Sequence, residues 1–157
     1  MDIKYNNDKF QFIYRTSAII YNSDKSKILL FYGDDRDYYM LPGGKVQELE
    51  QSENTIKREI KEELGYDNLE YNLIGVSEEI LEDKGLNVHQ ITLIYESLYN
   101  GEISDESFKS IETDWINFKW IKISELKKYK IHPKNIDVML NNEEKIKHII
   151  DDRINVE

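Results

Sequence analysis

The chain contains no cysteine, two prolines and seven glycines among its 157 residues. Without cysteine there can be no disulfide and no thiolate chemistry, so a reducing compartment is permitted. No apolar run approaches the roughly 20 residues of a membrane-spanning helix. The first ten residues, MDIKYNNDKF, lack the apolar segment of a secretory signal. These absences lead us to expect a cytoplasmic protein.

The chain also lacks a surplus of basic residues. It has 21 Lys and Arg against 31 Asp and Glu, a net charge of -10. We therefore expect no binding to duplex nucleic acid and none to an anionic membrane, because both need a basic face. An anionic small molecule remains possible if metal ions screen its phosphates. The length suits a single domain over 1–157, with 1–9 as a loose polar lead-in.

Hydrophobic patterning predicts a mixed sheet covered by helices on both sides, an α/β fold. The segments rich in β-forming residues are 10–21, 27–32, 69–81, 87–99 and 115–121. Asp83, Lys84 and Gly85 predict a hairpin between the third and fourth of these. Short helices are expected from Ser124 and near 135–140. The segment 145–156 fits either a helix or a strand.

The pattern of the most acidic stretch predicts a helix that opens near Ser52. Ser52 is a suitable N-cap, and Gly65 is a natural C-terminal stop. Helical periodicity places three apolar residues on one buried stripe: Ile56, Ile60 and Leu64.

Three glutamates of this helix gather beside the apolar stripe: Glu59, Glu62 and Glu63. Lys57 and Lys61 fall on the other flank, so they do not neutralise the group. Like charges four residues apart cost a few tenths of a kcal/mol. A hard divalent cation bound by these oxygen atoms would turn the net interaction from repulsive to attractive. The alternative is a solvated acidic face, which is common in acidic proteins.

The wider spacing is specific. Gly44 is followed after five residues by Glu50 and after seven more by 58–66, REIKEELGY. This matches the Nudix box, in which an aliphatic residue is usual where this chain has Tyr66. The chain therefore resembles the Nudix hydrolase family. Family-like segments over roughly 10–130 extend the resemblance: 15–20, 41–44 (LPGG), 88–91 (VHQI) and 120–126.

The resemblance implies a Nudix-type α/β/α sandwich with a mixed β-sheet. It also implies a metal-dependent pyrophosphohydrolase, in which water attacks phosphorus in a nucleoside diphosphate linked to another group. The implied cofactor is Mg²⁺, with Mn²⁺ as the expected substitute. The implied partner is a small nucleotide, and the protein would be a monomer or homodimer. The alternative is a catalytically silent Nudix-like domain that binds a nucleotide as a sensor or partner module.

Carried over by position, the resemblance gives roles to residues of the box. Glu59 and Glu63 look like direct metal ligands, and Glu62 like a further ligand or the general base. Gly44 would offer its backbone carbonyl to the metal. The residues expected to be structural are Gly43, Glu50 and Arg58, the last two as an ion pair.

Other candidates lie outside the box. Arg15 resembles a phosphate-binding arginine, with a structural ion pair as the alternative. Tyr39 could stack on a base or be a half-buried strand residue. Gln90 stands where relatives often carry a glutamate. Glu112 is a candidate for an additional carboxylate near the metal. The two tryptophans, Trp115 and Trp120, are expected in the core.

Overall fold

A computed structural model describes residues 1–140 and 145–155. Within them the chain forms one α-helix, α1 (Ser52–Leu64), and two 3-10 helices, Ile123–Lys128 and Ile136–Leu140. The same residues form eleven strands: β1 (Lys4–Asn6), β2 (Phe10–Tyr21), β3 (Lys27–Gly33), β4 (Tyr39–Met40), β5 (Gly43–Lys45), β6 (Asn72–Asp83), β7 (Leu86–Leu98), β8 (Phe108–Lys109), β9 (Ile116–Lys122), β10 (Ile131–His132) and β11 (Lys147–Asp152).

The sheet is mixed, as predicted, and it opens along its middle. On one side β2 runs parallel to β7 over its whole length, β7 is antiparallel to β6, and β6 is parallel to β11. On the other side β3 is antiparallel to β9. The two halves meet at a single register pair, Tyr21 with Ile28. They diverge from that corner and leave a cleft, into which β5 is inserted along β2.

Alternation along β2 builds a core on each face of the sheet. Ala18 and Ile20 belong to the core that contains Ile56 and Ile60 of α1. The neighbouring side chains, including Ile19, belong to a second core with residues of the two 3-10 helices: Leu126, Ile136 and Met139. Successive strand side chains point to opposite faces, so one apolar strand supplies both layers. The predicted layering is confirmed, although the second layer is made of 3-10 turns.

The hairpin between β6 and β7 is confirmed. Lys84 and Gly85 both have positive φ, 50° and 84°, as the favoured two-residue hairpin turn requires. Lys147–Asp152 is a strand, which decides between the two predicted structures for this segment. Val156, at the end of the predicted segment, lies outside the described residues.

Residues 1–9 are not wholly a loose lead-in, because β1 pairs antiparallel with β2. The side-chain oxygen of Asn7 accepts hydrogen bonds from the backbone N–H groups of Lys9 and Phe10, both at 2.9 Å. This local turn brings the polar segment back along β2, and polarity alone did not reveal it. Among the described residues, no helix has both the length and the apolar character to cross a membrane.

Candidate active site

The helix α1 carries the acidic residues of the site, and its two ends are held differently. Gly65 is the C-cap with φ of 71°, and its N–H bonds to the Lys61 carbonyl. The predicted N-cap was wrong by one residue, since Gln51 occupies that position without a side-chain cap. Ser52 instead shares a 2.6 Å hydrogen bond with the Tyr95 hydroxyl, so its side chain ties the helix to β7.

The glycine loop packs too closely for any side chain. A Cβ on Gly43 would lie 2.7 Å from the Ser17 Cα, and a Cβ on Gly44 would overlap the carboxylate of Glu59. Both approaches are closer than normal van der Waals contact, so only glycine at these positions allows β5 to lie on β2 and Glu59 to reach the loop.

An ion pair joins this loop to α1. Arg58 donates from Nε to Glu50 Oε2 at 2.8 Å and from Nη2 to Glu50 Oε1 at 3.0 Å. Arg58 Nη2 also donates to the Lys45 carbonyl at 3.3 Å. These bonds to Arg58, with a further one from Thr55, lower the pKa of Glu50 to about 2. The geometry is that of the structural pair expected from the box.

Glu63 is the most perturbed carboxyl of the site. Its Oε2 is buried and has no hydrogen-bond partner among the described residues. Burial first, and then the charge of Glu59, raise the pKa of Glu63 to about 8. The pKa of Glu59 is also raised by burial, against the opposing effect of Arg58, which donates to Glu59 Oε1 at 2.8 Å. The two carboxylates therefore repel each other in a poorly solvated place.

The other two candidate carboxylates lie nearby. Glu62 is 44% exposed at its side chain and accepts a hydrogen bond from Arg58 Nη1 at 3.2 Å. Glu112 contributes to the raised pKa of both Glu59 and Glu63. Its loop is fixed to the end of α1, because the Ile111 N–H bonds to the Glu63 carbonyl at 2.9 Å.

In the described ranges 1–140 and 145–155, no three His, Cys, Asp or Glu side chains already surround a common point in the way a metal ion would need. Arg58 instead holds Glu59 and Glu62. The fit to a cation comes from Glu63, whose Oε2 is buried without a hydrogen-bond partner among the described residues and whose carboxyl interacts electrostatically with that of Glu59. Oxygen donors of this kind suit Mg²⁺ or Mn²⁺.

A cavity of about 610 Å³ fills the cleft between the two half-sheets. Glu59 and Glu63 reach it from α1, and Arg15 from β2. The Nε of Arg15 is buried without a hydrogen-bond partner among the described residues, and the charge of Arg15 lowers the pKa of Glu63. Small-molecule sites commonly have this volume.

Among the candidate aromatic residues, Trp115 differs from expectation, whereas Tyr39 is the half-buried strand residue of its two alternatives. Tyr39 is not among the described residues that line the cavity; its ring packs against Tyr32 and Tyr129, at 5.1 and 5.3 Å between centroids. Tyr38 lines the cavity instead. Trp120 is 3% exposed, as a core residue should be, whereas Trp115 is 53% exposed and lines the cavity. Trp115 just precedes β9, and its exposure leaves its indole available to a ligand.

Sequence reasoning also missed Glu79 and Arg153, a largely buried charged pair that lines the cavity. Glu79 is 5% exposed in the middle of β6, and it accepts from Gln90 at 2.8 Å and from Arg153 at 3.3 Å. A glutamate at an inward position of an alternating strand is the signal that could have identified it.

Comparison with known proteins agrees with this geometry. A sequence model of the NUDIX domain matches residues 12–141. The m7GpppN-mRNA hydrolase of Saccharomyces cerevisiae (strain ATCC 204508 / S288c) is 41% identical over 54 residues. Those residues are 34% of this chain and 6% of that protein, so the chain spans a small part of that relative's length.

Two solved structures share the fold. The E. coli dihydroneopterin triphosphate pyrophosphohydrolase superposes with a TM-score of 0.64 at 18% identity, over 80% of this chain and 91% of that one. The NUDIX domain of Shewanella oneidensis NrtR, solved with ADP ribose, has a TM-score of 0.61 at 15% identity, over 86% of each chain. The fold and the box thus define a Nudix-type domain. The chain belongs to the Nudix family.

Proposed function

We propose that the protein is a Mg²⁺-dependent pyrophosphohydrolase that cleaves the diphosphate linkage of a nucleotide or nucleotide derivative. The observation that carries this proposal is Glu63, whose buried Oε2 lacks a hydrogen-bond partner in the part of the chain that the structure describes. Glu63 lies beside a second carboxylate, Glu59, in a cavity that Arg15 also lines. A carboxylate kept in this position destabilises the empty protein, and a bound cation would remove that cost.

The residues that would hold the cation are Glu59 and Glu63, with the Gly44 carbonyl and Glu62 as further oxygens. Mn²⁺ is the expected substitute. When bound, the ion supplies positive charge to the phosphate oxygens and lowers the pKa of a coordinated water. Arg58 already contacts Glu59 and Glu62, so it keeps both side chains close to the loop.

Side chains of the protein would bind the substrate and transfer the proton. Arg15 lies near Glu63, where its guanidinium binds and orients a substrate phosphate. Glu62, which is partly exposed, accepts the proton of the attacking water and can pass it to solvent. Glu63 itself is largely buried, which strengthens the charge interactions at this end of the cavity.

A substrate screen tests the proposal. Purified protein with millimolar Mg²⁺ is incubated with nucleoside triphosphates, nucleotide sugars, ADP-ribose, dinucleoside polyphosphates and the capped dinucleotide m7GpppN, and product phosphates are measured. Turnover that disappears with chelator supports the hydrolase. Tight binding without turnover of any compound would favour the silent nucleotide-binding domain instead, and Glu63→Gln is the matched inactive control.

The cytoplasmic location and a monomeric or dimeric state also belong to this proposal. The absence of cysteine supports the former. Cell fractionation and light scattering of the purified protein test the two statements.

A further inference from the structure

The cavity has a second polar wall that the proposed metal site does not use. Gln90, Glu79 and Asp151 stand side by side on β7, β6 and β11, as the strand registers show. Arg153 follows directly after β11 and also lines the cavity. Asp151 and Arg153 lie beyond residues 12–141, the part that matches the family. The C-terminal part of this wall therefore lies outside the region that matches the family.

Glu79 fixes the orientation of the Gln90 amide. Its Oε2 accepts from Gln90 Nε2 at 2.8 Å and from the Thr92 hydroxyl at 3.2 Å. An ionised carboxylate can only accept, so the amide nitrogen of Gln90 must face it. The Gln90 carbonyl oxygen makes no hydrogen bond within the described residues, and Gln90 lines the cavity. Gln90 thus presents an acceptor to a ligand.

Arg153 presents the complementary donor. Its Nε and Nη2 donate to Asp151 Oδ2 at 3.0 and 2.9 Å, and Nη2 also reaches Glu79 Oε1 at 3.3 Å. Its Nη1 has no hydrogen bond within the described part of the chain. Because Asp151 is 2% exposed, the guanidinium is anchored on its buried side and carries spare N–H groups on the other.

The charge of this wall disfavours a phosphate. Glu79 and Asp151 outnumber Arg153, and burial lowers the pKa of His132 beside them, which disfavours the charged form of the imidazole. His132 is 8% exposed and lines the cavity, and its Nδ1 is buried without a hydrogen-bond partner among the described residues. The wall therefore suits a neutral polar group rich in N–H donors.

The position of the wall suits the base of a nucleotide. Gln90 lies one strand, and Glu79 two strands, from β2, which carries Arg15. At the usual strand spacing these steps are about 5 and 10 Å. A ribose and base extend over such a distance from a diphosphate held near Arg15 and Glu63.

We propose that Gln90 and Arg153 read the nucleobase of the substrate, and that they favour an edge with N–H donors beside a carbonyl, as in guanine. The Gln90 carbonyl and Glu79 Oε1 accept from the N–H groups, and Arg153 donates to the carbonyl. This inference rests on the proposed function for the placement of the phosphates.

Arg153→Lys is the decisive variant. Lysine keeps a positive charge for Asp151 and Glu79, but it has a single ammonium in place of the planar guanidinium. The N–H group that Arg153 directs at the base is therefore lost. The ratio of kcat/KM for GTP to that for ATP should fall about tenfold or more, the usual cost of an unmatched polar group. Arg36→Lys is the matched control, because Arg36 lines the same cavity but pairs with Asp83 at 2.8 Å. There the ratio should not change.

Nucleoside binding provides a readout without hydrolysis. Guanosine and adenosine carry no phosphate, and their binding can be followed by the fluorescence of the exposed Trp115 in the absence of metal. Guanosine should bind more tightly to the wild type, and Arg153→Lys should remove the difference. If Arg153→Lys fails to fold, Gln90→Met removes the acceptor and should give the same loss.

Two results overturn the inference: a wild type that binds guanosine no better than adenosine, or an Arg153→Lys variant that lowers kcat/KM equally for all four triphosphates. If guanosine binds selectively but no nucleotide is hydrolysed, the proposed function fails and the base site stands.

Discussion

Replacement of Glu63 by glutamine should stabilise the metal-free protein, and the gain should depend on pH. The folded-state pKa of Glu63 is about 8, whereas an unfolded glutamate titrates near 4.5. Because the folded pKa is raised, the favourable contribution of neutral Glu63 is fully present below about pH 4.5. It is lost as the pH rises towards 8. Glutamine does not titrate and has no such loss.

The size of the effect follows from the pKa. A difference of about 3.5 in pKa corresponds to on the order of 5 kcal/mol at about 1.36 kcal/mol for each pH unit. Partial solvent access reduces this, so a gain of about 2–3 kcal/mol at about pH 9 is expected for Glu63→Gln. In a protein of this size that raises Tm by roughly 5–10 °C.

Thermal unfolding in the presence of a chelator measures this difference between about pH 5 and pH 9. The control is Glu62→Gln, the same substitution one residue away on the same helix. Glu62 is 44% exposed, so its change should stay within about 0.5 kcal/mol. A Glu63→Gln protein that is less stable than wild type at about pH 9, or whose gain does not vary with pH, would refute the reasoning. Glu63 would then serve an internal polar network.

Three further predictions concern the same helix and the loop that precedes it. Millimolar Mg²⁺ or Mn²⁺ should raise the Tm of the wild type but not that of Glu63→Gln, which calorimetry would show; an equal shift in both would place the ion elsewhere. Glu62→Gln and Glu63→Gln should each lower kcat at least ~10²-fold, while Lys61→Gln, exposed and paired with Asp67, should stay within about twofold in steady-state assays. Equal damage from Lys61→Gln would contradict the assignment. Glu50→Gln should destabilise by about 2 kcal/mol near pH 7 and by progressively less towards pH 2 in urea titrations. The folded pKa of Glu50 is lowered to about 2, so its contribution is present above about pH 4.5 and is lost as the pH falls. An effect that does not change with pH would argue against the ion pair.

Local elements of the fold were predictable because their signals are local. The bounds of β2 match the predicted segment 10–21, and the hairpin turn follows from Lys84 and Gly85. The pairing of β2 with β7 was not predictable, since it joins Phe10 to Asn87 and depends on tertiary packing. The same limit applies to β11, whose parallel pairing with β6 makes an otherwise ambiguous segment a strand.

The residues of the site also fall into a group that could be predicted from the sequence and a group that could not. The box gives its residues by fixed spacing along one loop and one helix, so the Glu50 and Arg58 pair could be predicted from sequence. The composition of the second polar wall of the cavity depends on which residues of β6, β7 and β11 stand in register. A slip by one residue would turn Glu79 away from the cavity. Trp115 is predicted in the core as the first residue of the segment 115–121, yet the strand begins one residue later, at Ile116, and Trp115 is exposed.

The helix can carry an unfavourable carboxylate because its opposite face is firmly anchored. Ile56 and Ile60 are fully buried, and each contributes about 1.5–3 kcal/mol of apolar burial. That sum is comparable with the cost of ionising Glu63. Arg58 meanwhile relieves the charges of Glu50, Glu59 and Glu62, while Glu63 Oε2 has no hydrogen-bond partner among the described residues. Because Glu63 lines the cavity, a ligand bound there can relieve the repulsion without any change in the core.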